Sequence, residues 1–144
     1  MNEARPPLEL TIPVRAWDFL AGGDGAARVR QVLQQVGFPP AVIRRVAIAT
    51  YEAEMNIVIH SQGGELKAQI TPAVITIIAR DTGPGIPDID LAMQEGYSTA
   101  PREIQEMGFG AGMGLPNIRR CADELAIDSM PGKGTVIKIV IYNR

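Results

Sequence analysis

The chain has 144 residues, 46% hydrophobic and 21% charged, which is close to the globular average; disorder is not expected, and one domain spanning 1–144 is. Fourteen Lys and Arg against sixteen Asp and Glu leave a formal net charge of −2, without the basic excess of a duplex-DNA or membrane-surface protein, so neither nucleic acid nor membrane is an expected partner. The lone Cys121 permits no intrachain disulfide or four-cysteine metal site and fits a reducing, cytoplasmic setting, and MNEARPPLEL lacks the apolar run of a signal peptide or spanning helix.

In chain order, the alternation of Leu8 to Val14 predicts a half-buried strand. Gly22 to Gly25 interrupts whatever Trp17 to Ala21 begins. A helix is then predicted from about Ala26 to Val36, with Val29, Val32, Leu33 and Val36 on one side, stopped by Gly37. Pro39-Pro40 opens a second helix, about Ala41 to Ser61, because proline suits a first helical turn. That helix is apolar on nearly all sides and should be buried. Gly63-Gly64 ends it. Strands follow at about Glu65 to Ile70 and Val74 to Arg80, joined near Thr71-Pro72. From Asp81 to about Gly114 the chain is rich in glycine, with one short helix predicted near Ile89 to Gln94. Loops of this length are usually functional. A third long helix is predicted over Met113 to Leu125. The last strands are Ala126 to Met130 and Thr135 to Tyr142, with their turn at Pro131 to Gly134.

Four groups of residues carry possible chemistry. Glu52, Asn56 and His60 are spaced i, i+4, i+8, which keeps them within an arc of roughly 80° along about 12 Å of helix. Polar groups on an apolar helix are costly to bury without partners. Glu52 could act as a base and Asn56 as a metal-oxygen ligand, or both could hydrogen-bond a neighbouring loop. His60 reads as a cap or surface residue, and Glu54, on another side, as a solvated or partner-facing charge. The string DTGPGIPD, Asp81 to Asp88, places a carboxylate at a strand end beside flexible glycines, where it can accept from an exocyclic amino group. GFGAGMGL, Gly108 to Leu115, exposes backbone N–H groups at a helix start and forms an anion site suited to phosphates. It is neither GxGxxG nor a P-loop. GKGT, Gly132 to Thr135, is by itself a turn.

In this order the four groups resemble the N, G1 and G2 boxes of the GHKL ATPases, which share the Bergerat nucleotide fold. The small size and the strings EGYST, GMGLPNIRR and DELAIDSMPGKGT are most similar to the anti-sigma-factor serine/threonine kinases, and among them to the switch kinases of the stressosome. The resemblance implies an α/β two-layer sandwich, with a mixed, mostly antiparallel sheet and helices on one face. It implies ATP (or ADP) and Mg²⁺ as cofactors. Glu52 would be the general base and Asn56 the Mg²⁺ ligand. Asp81 would accept from the adenine amino group with Thr135 nearby, and Gly83, Gly85 and Ile86 would border the base. Gly110, Ala111, Gly112, Met113, Gly114 and Leu115 would line the phosphates, and Asp88 to Phe109 would form the ATP lid. Implied partners are STAS-domain antagonist or scaffold proteins as substrates and a PP2C-type phosphatase as release target. The alternative it leaves open is an anti-sigma factor that binds a sigma factor directly. For such a surface the segment Leu8 to Gly37 is the place to look, although Trp17, Phe19 and Phe38 read more readily as core. Without a phospho-acceptor histidine helix, a two-component histidine kinase is not expected.

Overall fold

A computed structural model describes residues 7–94 and 114–144. Five strands form one sheet in the order β1-β2-β3-β5-β4. They are β1 (Leu8–Val14), β2 (Gly64–Ile70), β3 (Val74–Thr82), β4 (Glu124–Met130) and β5 (Gly134–Tyr142). Every pairing among the described residues is antiparallel, so the parallel neighbour that a mixed sheet would require is not among them. The helices are α1 (Asp24–Val36), α2 (Pro40–His60), the short α3 (Ile89–Ala92) and α4 (Gly114–Cys121). α2 packs on β3 and β5, and α1 and α4 pack against α2.

Strand alternation builds the core. Leu66, Ala68 and Ile70 on β2, Ile75, Ile77 and Ala79 on β3, and Ile137, Ile139 and Ile141 on β5 are all buried at every second position. Val42, Val46, Ala49, Ala53, Ile57 and Val58 of α2 complete that layer. The near-uniform hydrophobicity of α2 thus follows from contact on several sides: sheet, α1 and α4. Pro40 stands in its first turn, as its fixed φ favours. Gly37 closes α1 at φ 99°, a left-handed conformation that glycine takes without steric cost.

Expectations for two individual side chains change. Glu54 is neither solvated nor partner-facing: it is 3% exposed, and its carboxylate accepts from the N–H groups of Gly25 and Ala26, both at 3.0 Å. A negative charge here satisfies the orphan donors at the start of α1 and meets its positive end. A Cβ on Gly25 would stand 2.8 Å from a Leu66 methyl and 3.1 Å from Glu54 Oε2, so a larger residue here would displace one of these side chains. Trp17 is not core. It is 52% exposed, in a left-handed backbone at φ 60° held by its N–H to Val58 O at 2.8 Å. Phe38 is buried, and Phe19 packs partly against the core.

The Glu54 cap makes a stability prediction. Glu54→Ala leaves two N–H groups without their charged acceptor, and a cost of about 2–3 kcal/mol is expected. Urea unfolding checks this, and a midpoint equal to wild type would contradict it.

Candidate functional site

The end of β3 carries the first half of the site. Asp81 pairs in register with Thr135 on β5, and its Oδ1 accepts from the Thr135 N–H at 3.2 Å. Burial pushes the Asp81 carboxyl above its ordinary value, and the Thr135 N–H opposes that rise. Beyond Asp81 the chain turns back along the end of α2: Gln62 N–H donates to Thr82 O at 2.7 Å and Thr82 N–H to Gly63 O at 3.0 Å. A Cβ on Gly83 would stand 3.0 Å from Ser61 Cα, and one on Gly85, at φ 80°, would stand 2.8 Å from Met130 O. The loop is therefore pressed between the α2 end and the β4–β5 turn, which is a reason for both glycines independent of any ligand. Ile86 follows, and its N–H donates to Ser129 Oγ at 2.6 Å. Ser129 Oγ also hydrogen-bonds Thr135 Oγ1 at 3.0 Å. In the sequence the only signal at Ser129 is its place five residues before Gly134.

The second half lies along α2. Glu52 and Asn56 are partly exposed and one turn apart, with Ser61, the neighbour of Gly83, about 13 Å further along the helix axis from Glu52. Glu52 faces the start of α4: a Cβ on Gly114 would stand 3.5 Å from Glu52 Oε1. Asn117, one turn into α4, donates from Nδ2 to Glu52 Oε2 at 2.9 Å, and its Oδ1 accepts from Arg120 at 2.9 Å. In the sequence Asn117 carries no signal beyond its place in the string GMGLPNIRR. Leu115 is buried in the core. Gly110, Ala111, Gly112 and Met113, like the lid segment from 95 onward, lie outside the described residues.

Chemically, this row offers a carboxylate that can take a proton, an amide oxygen without a hydrogen-bond partner among the described residues, and a half-buried carboxylate at a strand end. No group of three or more His, Cys, Asp or Glu among the described residues could hold a metal. A metal here would draw most of its ligands from elsewhere, as Mg²⁺ does from substrate phosphates and water. A cavity of about 640 Å³ between α1 and α2, bordered by Arg30, Phe38, Ile43, Arg44 and Ile48, shares no residue with this site. No described helix is long and apolar enough to cross a membrane.

His60, at the end of α2, is held below its ordinary imidazole value by burial. A base whose folded value is depressed contributes stability that is complete above the unfolded value, 6.5, and is lost as pH falls below it. Melting temperature in wild type should therefore drop between neutral pH and pH 5 more than in His60→Gln. Parallel curves would refute this.

Comparison with known proteins shows the family. Residues 41–143 match the family described as histidine kinase-, DNA gyrase B- and HSP90-like ATPases, a span that contains Glu52, Asn56, Asp81 and Thr135. The chain belongs to this ATPase family, and within it falls with the serine/threonine-protein kinases. It is 33% identical over 132 residues to the serine/threonine-protein kinase RsbT of Bacillus subtilis, covering 89% of this chain and 91% of that one. It is 36% identical over 105 residues to the anti-sigma F factor of Thermoanaerobacter sp. (strain X514), covering 69% and 70%. Among solved structures, the RsbU and RsbW domains of a Mycobacterium tuberculosis protein align with a TM-score of 0.62 at 19% identity, over 97% of this chain and only a third, 33%, of that longer one. A chain of the SiaB–SiaC complex from Pseudomonas aeruginosa aligns with a TM-score of 0.60 at 16% identity, over 93% and 88%. These two likenesses concern the fold.

Proposed function

We propose that this chain is a cytoplasmic, ATP-dependent serine/threonine kinase acting as a partner switch in bacterial stress signalling. Its substrates are STAS-domain antagonist or scaffold proteins, and after release it engages a further target such as a PP2C-type phosphatase. The observation that carries the reading is Glu52, a carboxylate turned toward the start of α4, on the same helix as Asn56 and leading to the Asp81 turn. A protein that only bound nucleotide would have no use for a base there.

In this reading Asp81 Oδ2 accepts from the adenine 6-amino group, because Oδ1 is engaged by Thr135. Ser129 and Thr135 hold the turn that closes on the base. The glycine-rich segment Gly110 to Gly114, with the first turn of α4, would line the phosphates. Asn56 would hold Mg²⁺, which neutralises phosphate charge when bound. Glu52 takes the proton of the substrate Ser or Thr hydroxyl as its oxygen bonds to the γ-phosphorus. The bond from the γ-phosphorus to the β–γ bridging oxygen breaks, and ADP leaves with the electron pair. Incubation with labelled ATP and a STAS-domain protein should yield phosphoserine or phosphothreonine, and the modified partner should bind more weakly. No label on the partner, with ATP bound, would refute the kinase reading.

A second reading, an anti-sigma factor, has its own support. Leu20 is fully exposed and Trp17 half exposed, on the segment before α1. Exposed apolar side chains of this kind suit a protein interface. On the switch-kinase reading no stable sigma-factor complex forms. Nucleotide-dependent co-elution with a sigma factor would favour the second reading and leave the ATP site as it is.

A further inference from the structure

Asn117 has no part in the chemistry above, yet both ends of its amide are engaged. Nδ2 donates to Glu52 Oε2 and Oδ1 accepts from the Arg120 guanidinium, both at 2.9 Å. The chemistry of the partners forces that orientation. A carboxylate can only accept and a guanidinium can only donate, so the amide satisfies both in one way round. Asn117 and Arg120 stand three residues apart on α4, a spacing that places side chains together on one helix face.

Three consequences meet at Glu52. With Oε2 occupied, Oε1 is the oxygen turned toward Gly114, where the glycine-rich segment enters α4. A glutamate side chain is rich in rotamer freedom, and a fixed partner removes it before the reaction. A base must also lie within hydrogen-bond reach of the proton it abstracts, and a misplacement of about 1 Å can cost about 10²-fold. The neutrality of Asn117 matters too. An arginine set directly on the carboxylate would tend to bind both oxygens in a fork and oppose proton uptake. The amide between them ties the carboxylate to α4 through one oxygen and leaves the other available.

We propose that Asn117 is a positioning residue for phosphoryl transfer: it pins Glu52 Oε2 so that Oε1 receives the substrate proton, and Arg120 sets the direction of the Asn117 amide. The inference rests on the kinase reading. In the step it serves, Oε1 gains the hydroxyl proton, the substrate oxygen bonds to the γ-phosphorus, and the bond to the β–γ bridging oxygen breaks with its pair leaving on ADP. Asn117 acts through Glu52 alone.

The test compares wild type, Asn117→Ala, Glu52→Gln and the double variant. Phosphate transfer from Mg-ATP to a STAS-domain protein and phosphate release to water are both measured, with Mg-ATP affinity by calorimetry. Asn117→Ala is expected to lower kcat by about 10²-fold with affinity unchanged. Added to Glu52→Gln it should cause no further loss, because a residue acting through the base has nothing left to position. Asn117→Asp, nearly the same shape, keeps a partner for Arg120 but sets a like charge against Glu52. It should lose at least as much activity and move the acid limb of the pH–rate profile to higher pH. Equal fold-losses in the wild-type and Glu52→Gln backgrounds would overturn the proposal, as would wild-type kcat in Asn117→Asp or a loss confined to nucleotide affinity. A wild type that binds Mg-ATP but transfers phosphate to neither acceptor would overturn the kinase reading itself, and this role with it.

Discussion

Glu52→Gln is expected to leave Mg-ATP binding intact while phosphoryl transfer falls by about 10²–10⁴-fold, the usual contribution of a positioned general base. The substitution keeps the side-chain length and an oxygen that can still accept from Asn117 Nδ2, so α4 stays docked through the same 2.9 Å contact. What it removes is the capacity to take a proton. Single-turnover transfer to a STAS-domain protein, alongside calorimetric ATP binding, separates the two effects. Wild-type transfer by this variant would remove Glu52 from the chemistry. A parallel fall in ATP affinity would instead make it a binding residue.

The second large effect is expected at Asp81. Asp81→Asn should weaken ATP binding by about 10- to 10²-fold, corresponding to the roughly 1.5–3 kcal/mol of a hydrogen bond to a charged group. GTP lacks the 6-amino group and should compete poorly with ATP in wild type. Equal calorimetric affinity for the two nucleotides would refute the role given to Asp81. The same variant should not weaken the nucleotide-free fold. The amide oxygen can still accept from Thr135 N–H, now 3.2 Å from Oδ1. Burial raises the Asp81 carboxyl above its unfolded value of 3.8, so the folded state binds the proton more tightly. Stability therefore falls as pH rises from that value through the folded one, and the ionised form is a net cost at neutral pH. The nucleotide-free Asp81→Asn protein should melt at or above the wild-type temperature at pH 7 while binding ATP less well. A variant that is both less stable and nucleotide-blind would mark Asp81 as structural.

Much of the architecture was legible in the residues. β1 spans Leu8–Val14 as its alternation predicts, and α2, β2, β3 and β5 begin or end within a residue or two of expectation. These elements follow local rules: a period of two for half-buried strands, Pro39-Pro40 before a helix, Gly37 after one. The third long helix is shorter than predicted, ending at Cys121, because the chain from Glu124 pairs with β5. The residues of the ordered boxes were legible as a set through their resemblance to the ATPase family, and family membership and kinase class agree with it.

What only the tertiary structure decided lies in pairs far apart in the chain. Glu54 looks like any surface charge on a helix until α1 folds back and sets its first N–H groups, 28 and 29 residues away, against the carboxylate. Ser129 becomes the support of the Asp81 turn because β4 pairs with β5 and brings its hydroxyl to Ile86, 43 residues away. Asn117 meets Glu52 across 65 residues because α4 packs on α2. Trp17, which reads as core from its hydrophobicity, is left half exposed, its backbone N–H bonded to Val58 O and its ring set edge-on against Phe19. Periodicity and capping are carried by neighbours in the chain, so the sequence alone determined the elements and the order of the chemical groups along them. Hydrogen-bond partners and burial depend on which elements meet, and no local pattern encodes a contact between side chains many tens of residues apart.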